Sequence, residues 1–258
     1  MVIKNLAKGI FNIISSSAIL AAKSEDEDLD KIWETSLKIA PSLDRHFVNT
    51  SLENEALLRI RYLLCGEVYF LKNIIEKLFR LEKKCTYLDI GDSDGYVYLV
   101  LNEVMKGYNV KYLGINLQKK AVQKIREKGL EAECTDAMEV RKRGKAYDLV
   151  SLFETLEHLV NPIEFLEGVH DVVGKRLIIS VPLVQRSRVG LQYLSRNWPQ
   201  NKVPTIENTH IFELSLKDWT KILTHTGWEI ENQWKLKQFP SFGLNGFIMK
   251  HIWRKNII

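Results

Sequence analysis

The stretch Tyr87-Leu-Asp-Ile-Gly-Asp-Ser-Asp-Gly95 decides the fold of this chain. A short apolar run leads into a turn bracketed by Gly91 and Gly95, and a helical pattern follows. Glycine lets the backbone approach a ligand closely, and the N–H groups at the start of a helix can face an anionic group such as a carboxylate. A nicotinamide-binding fingerprint would have glycines where Ser93 and Tyr96 stand, so a dinucleotide fits the turn less well.

Short apolar runs alternate with helical patterns from Cys85 onward, which is typical of a parallel sheet covered by helices on both faces. The predicted strands are Thr86 to Gly91, Val110 to Asn116, Leu130 to Cys134, Tyr147 to Phe153, Arg176 to Val181, Trp228 to Leu236 and Gly243 to Trp253. The pattern therefore predicts an α/β, Rossmann-like fold with a seven-stranded, mostly parallel sheet. Ligands of such sheets bind beyond the carboxyl ends of the strands.

The chain before the sheet is predicted to be helical. Thr50-Ser-Leu-Glu53 has the form of a capping box, and apolar residues then recur every three or four positions to about residue 82. The acidic run Ser24–Asp30 is predicted to be a solvated link. We therefore predict an N-terminal helical cap or extension over residues 1–82 and a core domain over residues 83–258.

Residues 1–22 form a separate pattern. Ile3, Leu6, Ile10, Ile13 and Ile14 recur at helical spacing, which predicts an amphipathic helix that packs on the protein or attaches to a membrane surface. Uncharged apolar runs in the chain stay below the ~18 residues that a membrane-spanning helix needs, so no transmembrane segment is predicted.

Charge and cysteine content restrict the function classes. The formal net charge of +5 mildly favours an anionic partner but is small for a dedicated nucleic-acid surface. The 3 cysteines cannot all pair, and none stands in a C-x-x-C arrangement. Thiols kept in a reducing compartment are the simpler interpretation, so a cytoplasmic location is predicted.

Four segments in residues 83–258 together resemble class I S-adenosylmethionine-dependent methyltransferases. They are Leu88-Asp-Ile-Gly-Asp-Ser-Asp-Gly95, Gly114-Ile-Asn-Leu117, Cys134-Thr-Asp-Ala137 and Phe153-Glu-Thr-Leu-Glu-His158. The resemblance implies S-adenosylmethionine as cofactor and an antiparallel last strand. It implies that Gly91, Asp92 and Gly95 line the methionine end, that Asn116 bonds the ribose hydroxyls and that Asp136 accepts from the adenine amine. The implied cofactor-binding set also contains Asp89, Ser93, Leu117, Ala137 and Phe153.

Two positions depart from the family pattern. The family usually has a glycine where Ser93 stands and an acidic residue where Asn116 stands. Asparagine still pairs with a hydroxyl but loses the charge-assisted part of the bond, around 1 kcal/mol. We therefore expect cofactor binding that is weakened and not abolished.

Glu154, Glu157 and His158 stand at i, i+3 and i+4, a spacing that predicts one face of a single helical turn. Similar Glu-x-x-Glu-His segments in small-RNA 2′-O-methyltransferases and quinone-pathway O-methyltransferases hold a divalent ion. The RNA enzymes add a histidine from a His-x-Phe-Glu segment, which this chain has from His210 to Glu213. The resemblance implies a magnesium, manganese or zinc site at Glu154, Glu157, His158 and His210. Alternatively the glutamates orient backbone, and His158 or His210 is the general base.

The segment from Leu183 to Asn208 is long for a loop in a compact domain, and such loops often bind substrate. Its basic and aromatic residues are Arg186, Arg188, Tyr193, Arg196 and Trp198. They suit a phosphorylated, sugar or nucleic-acid substrate, or they are solvated arginines beside a packed tryptophan.

The combined pattern predicts O-methylation of a small-molecule or glycan hydroxyl, because a hydroxyl needs the base or metal that this segment offers. RNA ribose 2′-O-methylation and N-methylation are the alternatives within the same chemistry. The alternative of another class is a binding or scaffold protein with a degenerate methyltransferase fold.

Overall fold

The computed structural model describes residues 16–43, 54–190, 209–238 and 242–251, together with Ile10 and Ile14. The capping box predicted at Thr50–Glu53 and the predicted loop residues Tyr193, Arg196 and Trp198 lie outside the described residues. Most of the helix predicted within residues 1–22 lies outside them as well, although residues 16–24 are helical and Ile19 is buried. In the described part of the chain, no helix combines the length and the apolar character that crossing a membrane requires.

A seven-stranded sheet forms the centre of the molecule, in the order β3-β2-β1-β4-β5-β9-β8. The strands are β1 (Lys84–Ile90), β2 (Asn109–Asn116), β3 (Ala132–Cys134), β4 (Tyr147–Phe153), β5 (Val173–Pro182), β6 (Arg188–Val189), β7 (Phe212–Glu213), β8 (Trp228–Gln238) and β9 (Phe242–His251). The pairs among β1 to β5 are parallel, and β9 is antiparallel to both β5 and β8. The predicted seven-stranded sheet with an antiparallel last strand is confirmed.

The sheet register brings the predicted motifs to one edge. Asp89 in β1 stands beside Gly114 in β2 and Ser151 in β4. Because these three strands run in parallel, their carboxyl ends lie side by side, and the residues that follow them meet there.

Helices cover the sheet and are amphipathic, as their spacing predicts. They are α1 (Glu27–Ile39), α2 (Asn54–Leu78), α3 (Tyr96–Val104), α4 (Lys119–Glu127), α5 (Ala137–Val140), α6 (Pro162–Gly168) and α7 (Leu216–His225). Helix α6 gives way to a 3-10 turn at Val169. Pro162 occupies the first turn of α6, where its missing N–H removes no helical hydrogen bond.

The predicted solvated link at Ser24–Asp30 is wrong for most of its length. Asp26 caps α1 by accepting from the N–H of Leu29 at 3.0 Å, and the acidic residues after it form the first helical turn. Negative side chains there face the positive end of the helix dipole, so the charge run starts a helix.

Helices α1 and α2 pack into the same buried cluster as the sheet. Trp33 of α1 and Leu71 of α2 belong to that cluster together with Tyr87 of β1. Arg61 of α2 is 5% exposed and donates to Ser36 Oγ at 2.7 Å, and to carbonyl oxygens near the end of α1. The division into an extension over residues 1–82 and a core domain stays a prediction. Helix α2 packs where it can line the edge of the sheet.

A two-stranded ladder places the His-x-Phe-Glu segment beside the sheet edge. Strand β6 pairs antiparallel with β7, and the N–H of Ile211 donates to the carbonyl oxygen of Glu157 at 2.7 Å. The residues before β7 therefore lie against the turn that follows β4, although about fifty residues separate them in the sequence.

Candidate active site

One cavity of about 690 Å³ opens at the carboxyl ends of β1, β2 and β4. Its volume falls in the range of roughly 300 to 1,000 Å³ that is usual for ligand pockets. The predicted cofactor residues that line it are Asp89, Gly91, Asp92, Ser93, Asn116, Leu117, Asp136 and Phe153. The predicted metal residues Glu154, Glu157, His158 and His210 line it too. Gly95 and Ala137, which were also predicted to bind the cofactor, are not among the lining residues. Most of the predicted cofactor residues and all four predicted metal residues therefore share one cavity.

Left-handed backbone explains the two glycines of the turn after β1. Gly91 has a φ of +92° and Gly95 a φ of +75°. An added Cβ at Gly91 would lie 2.4 Å from Thr155 Oγ1, and one at Gly95 would lie 2.7 Å from Leu130 Cδ1. Gly91 is thus required where the turn meets the segment after β4, and Gly95 where it meets the end of α4.

The carboxylate of Asp92 holds this turn together. Its Oδ1 accepts from the N–H groups of Asp94 at 3.1 Å and Gly95 at 2.7 Å, and its Oδ2 accepts from the hydroxyl of Tyr112. Burial raises the pKa of Asp92, and the nearby charge of Asp94 raises it further. Asp92 therefore shapes the turn while it lines the cavity.

Asn116 ties the end of β2 to the same turn. Its Nδ2 donates to the carbonyl oxygens of Asp92 at 2.9 Å and Gly91 at 3.3 Å, while its Oδ1 accepts from the N–H of Gln118 at 2.8 Å. An aspartate at this position would have only acceptor oxygens, so it could not donate to these two carbonyl oxygens. The asparagine that departs from the family pattern is thus an integral part of this turn.

The other predicted cofactor residues lie at or near the carboxyl ends of β1, β2 and β3. Asp136 accepts from the N–H of Met138 at 2.8 Å, which makes it the N-cap of α5, and Ala137 is the first residue of that helix. Leu117 is 57% exposed at the cavity. Asp89, which lines the cavity, is buried. Its Oδ1 accepts from the hydroxyl of Ser151 at 2.6 Å, and burial raises its pKa well above the usual range.

The segment Glu154–His158 differs from the predicted helical turn. Glu154 has a φ of +47°, which is left-handed, and a 3-10 turn starts only at Leu156. The prediction that Glu154, Glu157 and His158 share one helical face is therefore wrong. Ligand atoms of Glu157, His158 and His210 lie within 4.8 Å of one another, and Glu154 is outside that group.

Both histidines have their Nδ1 atoms fixed by acceptors. Nδ1 of His158 lies 3.0 Å from the carbonyl oxygen of Thr209, and Nδ1 of His210 lies 3.0 Å from Glu213 Oε1. A carbonyl oxygen can only accept, so Nδ1 of His158 carries the proton, and the lone pair of its neutral ring is on Nε2. Nε2 of His158 faces Glu157 Oε1 at 3.8 Å. Such outer hydrogen bonds are typical of histidines that bind metal or act as bases.

The carboxyl groups beside these rings are strongly perturbed. Glu157 is 0% exposed, and its two oxygens have no hydrogen-bond partner among the described residues. Burial raises the pKa of Glu157 to about 7, although the charge of His210 opposes the shift. Burial also raises the pKa of Glu154 well above the usual range. For His210, burial lowers the pKa, but the hydrogen bond to Glu213 and the charge of Glu157 raise it overall.

Glu67 of α2 belongs to this site, although our interpretation of the sequence did not select it. It lines the cavity, is 2% exposed, and its Oε1 accepts from the hydroxyl of Ser180 at 2.7 Å. The available signal was a glutamate within the apolar periodicity of a long helix, because an unpaired charge is seldom buried there without a role.

Stability should depend on pH through Glu67. Burial raises the pKa of Glu67 from 4.5 to about 8, so folded protein holds the proton more tightly than unfolded protein. The free energy of unfolding should therefore fall as the pH rises through this interval, and Glu67→Gln should remove up to a few kcal/mol of that fall. Urea unfolding of metal-free protein at about pH 5.5 and 8.5 measures this. Glu76→Gln on the same helix is the control, and equal slopes in both variants would contradict the prediction.

Residues 60–233 match a family model described as a methyltransferase domain. No curated protein sequence matches the chain.

Solved structures resemble the chain in fold. Magnesium protoporphyrin IX methyltransferase from Synechocystis PCC 6803 with bound SAH has a TM-score of 0.56 and 15% identity, over 91% of this chain and 100% of that chain. A SAM-dependent methyltransferase from Leishmania major has a TM-score of 0.57 and 12% identity, over 88% of this chain and 84% of that one. The cyclase SpnF has a TM-score of 0.54 and 14% identity, over 87% and 93%. At these identities the likeness concerns the fold.

Proposed function

This chain belongs to the methyltransferase-domain family of S-adenosylmethionine-dependent enzymes, and from that membership we propose that it methylates a hydroxyl group of a small molecule or glycan. The observation that carries the proposal is the group formed by buried Glu157 and half-buried His158 and His210, at the same cavity as the turn after β1. A hydroxyl loses its proton reluctantly near pH 7, and this group can take that proton or bind an ion that lowers the pKa of the hydroxyl.

Cofactor binding is proposed for the half of the cavity formed by β1, β2 and α5. The residues assigned to it are Asp89, Gly91, Asp92, Ser93, Gly95, Asn116, Leu117, Asp136, Ala137 and Phe153. When bound there, S-adenosylmethionine supplies a methyl group on a positively charged sulfur. The turn from Gly91 to Gly95 would orient the methionine end, and the exposed side chain of Leu117 would cover the adenosine end.

A divalent ion fits the other half of the cavity. The donor set contains two imidazoles whose Nδ1 atoms are fixed and a buried carboxylate that has no hydrogen-bond partner among the described residues. Imidazole and carboxylate ligands suit magnesium, manganese or zinc. Glu157, His158 and His210 would hold the ion, and Glu154, whose Oε1 likewise has no hydrogen-bond partner among the described residues, would bind it through a water molecule or after a small movement.

Methyl transfer would then proceed by direct displacement. The acceptor oxygen forms the new bond to carbon as the carbon–sulfur bond breaks, and the electron pair of that bond stays on sulfur. If the histidines hold no ion, the proton of the hydroxyl passes to Nε2 of His158 or His210. If their Nε2 atoms hold an ion, the hydroxyl would lose its proton to solvent, because the ion would lower its pKa. Rate would come largely from holding the two reactants in line within one enclosed cavity.

Metal dependence is the first expected outcome. Protein purified without chelator should contain close to one equivalent of divalent metal, and EDTA should lower transfer of labelled methyl groups into a fractionated cell extract by at least about tenfold. Adding back magnesium, manganese or zinc should restore transfer. Full activity in EDTA would exclude the metal and leave the histidines as bases, whereas failure to bind either S-adenosylmethionine or S-adenosylhomocysteine would overturn the proposed function as a whole.

A further inference from the structure

One face of α2 forms a wall of the cavity. Ile60, Leu63, Leu64 and Glu67 stand at i, i+3, i+4 and i+7, so they lie along a single side of the helix, and all four line the cavity. At about 1.5 Å per residue, this face extends roughly 10 Å. It consists of three aliphatic side chains followed by one carboxyl group.

The carboxyl group at the end of this face is held in place. Glu67 Oε1 accepts from the hydroxyl of Ser180 at 2.7 Å, and Ser180 Oγ also accepts from the N–H of Glu154 at 3.1 Å. Ser180 therefore joins Glu67 to the left-handed residue after β4. Because Glu67 is buried and fixed, its carboxyl group is a defined feature of the cavity wall and not a mobile surface charge.

The cavity is acidic although the chain as a whole carries a net charge of +5. Its ionisable lining residues, among those that the structure describes, are Glu67, Asp89, Asp92, Asp136, Glu154, Glu157, Glu164, His158 and His210. An anionic group brought next to Glu67 would lose its hydration, which costs free energy in a site of low dielectric. Above about pH 8, where the buried carboxyl group of Glu67 loses its proton, the anionic group would also meet a like charge.

Apolar character extends from the wall to the mouth of the cavity. Val160 and Leu117 line the cavity and are 84% and 57% exposed. Burying such side chains against a ligand is favourable at about 25 cal/mol per Å² of apolar surface. The cavity can therefore make apolar contacts with the body of a ligand.

On the basis of the proposed function, we propose that Glu67 and the apolar face of α2 select an acceptor whose hydroxyl is carried on an apolar body without an anionic group. Glu67 acts as a specificity-determining residue that excludes carboxylates and phosphates, and Ile60, Leu63 and Leu64 contact the body of the acceptor. An RNA acceptor, whose backbone is anionic, is disfavoured by the same geometry.

Two probes that differ only in charge test this inference. They are 3-(4-hydroxyphenyl)propionamide and 3-(4-hydroxyphenyl)propionate, which share a phenol hydroxyl and an apolar body. Binding is measured by calorimetry to protein saturated with S-adenosylhomocysteine, at about pH 9, which lies above the pKa of about 8 that burial gives Glu67. We expect the amide to bind wild-type protein at least about tenfold more tightly than the acid, a difference of about 1.4 kcal/mol.

Variants assign the selection to the proposed residues. Glu67→Gln keeps the shape of the side chain and should reduce the preference for the amide over the acid to less than about threefold. Glu76→Gln on the same helix is the control and should leave that preference unchanged. Leu63→Arg adds a cation to the apolar face and should reverse the preference, with Leu63→Met as its control.

Several results would overturn the inference while the proposed function stands. They are equal or tighter binding of the acid to wild-type protein, an unchanged preference in Glu67→Gln, the absence of binding of either probe, or tight and salt-sensitive binding of a single-stranded RNA oligonucleotide. If wild-type protein does not bind S-adenosylhomocysteine, the proposed function itself is wrong, and the inference that rests on it is wrong as well. Retained S-adenosylhomocysteine binding in the variants shows that they are folded.

Discussion

Replacement of Glu157 by glutamine should lower the rate of methyl transfer by at least about 100-fold and leave the affinity for S-adenosylhomocysteine within about twofold. Glu157 is fully buried in the half of the cavity that we propose for the acceptor, and its oxygens have no hydrogen-bond partner among the described residues. Glutamine has the same shape but lacks the charge that would hold an ion or favour the protonated form of His210. The loss should therefore affect the chemical step and not the binding of cofactor.

The chemical step is measured as single-turnover transfer of labelled methyl groups, with the extract fraction that wild-type protein labels as acceptor. Calorimetry measures the affinity for the cofactor. The free energy of unfolding should not fall, because the substitution removes a carboxyl group whose charged form is destabilised by burial. Glu164→Gln is the matched control, since Glu164 lines the same cavity and accepts from Asn161 Nδ2 at 3.0 Å. The rate of methyl transfer in this control should stay within about threefold of the wild-type rate. Equal loss in both variants, or full activity in Glu157→Gln, would contradict the assigned role.

Most of the sheet could be predicted because its information is local. Each strand is a short apolar run ended by a turn, so the run before Gly91 and the run ending at Phe153 were recognisable without knowledge of their neighbours. Parallel pairing then places the residues that follow these strands together, and this explains why most of the predicted cofactor residues and the predicted metal residues line one cavity.

The parts of the site that could not be predicted depend on packing between distant segments. Helical spacing showed which residues of α2 share a face, but it did not show that Glu67 would meet Ser180, which is 113 residues away. The turn after β4 was predicted with helical periodicity, whereas Glu154 adopts a left-handed backbone conformation with its N–H directed to Ser180. The two-residue strands β6 and β7 are too short for any periodicity to indicate.

Asn116 has structural contacts that the resemblance does not imply. The resemblance predicts that its side chain bonds the ribose hydroxyls, and this stays a prediction. In the structure its amide nitrogen bridges the carbonyl oxygens of Gly91 and Asp92, contacts that an aspartate could not make as a donor. The departure from the family pattern is therefore accompanied by a local hydrogen-bond arrangement that the motif alone does not contain.

Replacement of Gly91 by alanine should weaken the binding of S-adenosylhomocysteine by at least about 30-fold, because the substitution has two separate costs. The φ of +92° is unfavourable for a residue with a Cβ, by about 1–2 kcal/mol. The Cβ would also lie 2.4 Å from Thr155 Oγ1. That hydroxyl donates to the carbonyl oxygens of Phe153 at 2.9 Å and Ile90 at 3.1 Å, so it cannot withdraw without losing these bonds. The turn must move instead, and the proposed methionine site moves with it.

Gly129→Ala separates the two costs. Gly129 has a φ of +76°, and an added Cβ there would meet nothing within 4 Å, so this variant carries the backbone strain alone. It should lower the free energy of unfolding by about 1 kcal/mol and leave cofactor affinity within about threefold. Thr155→Ala in the Gly91→Ala background removes the clashing hydroxyl and should recover part of the lost affinity. If Gly91→Ala binds like Gly129→Ala, or if the double variant binds no better than Gly91→Ala, contact between the turn and Thr155 does not control the cofactor site.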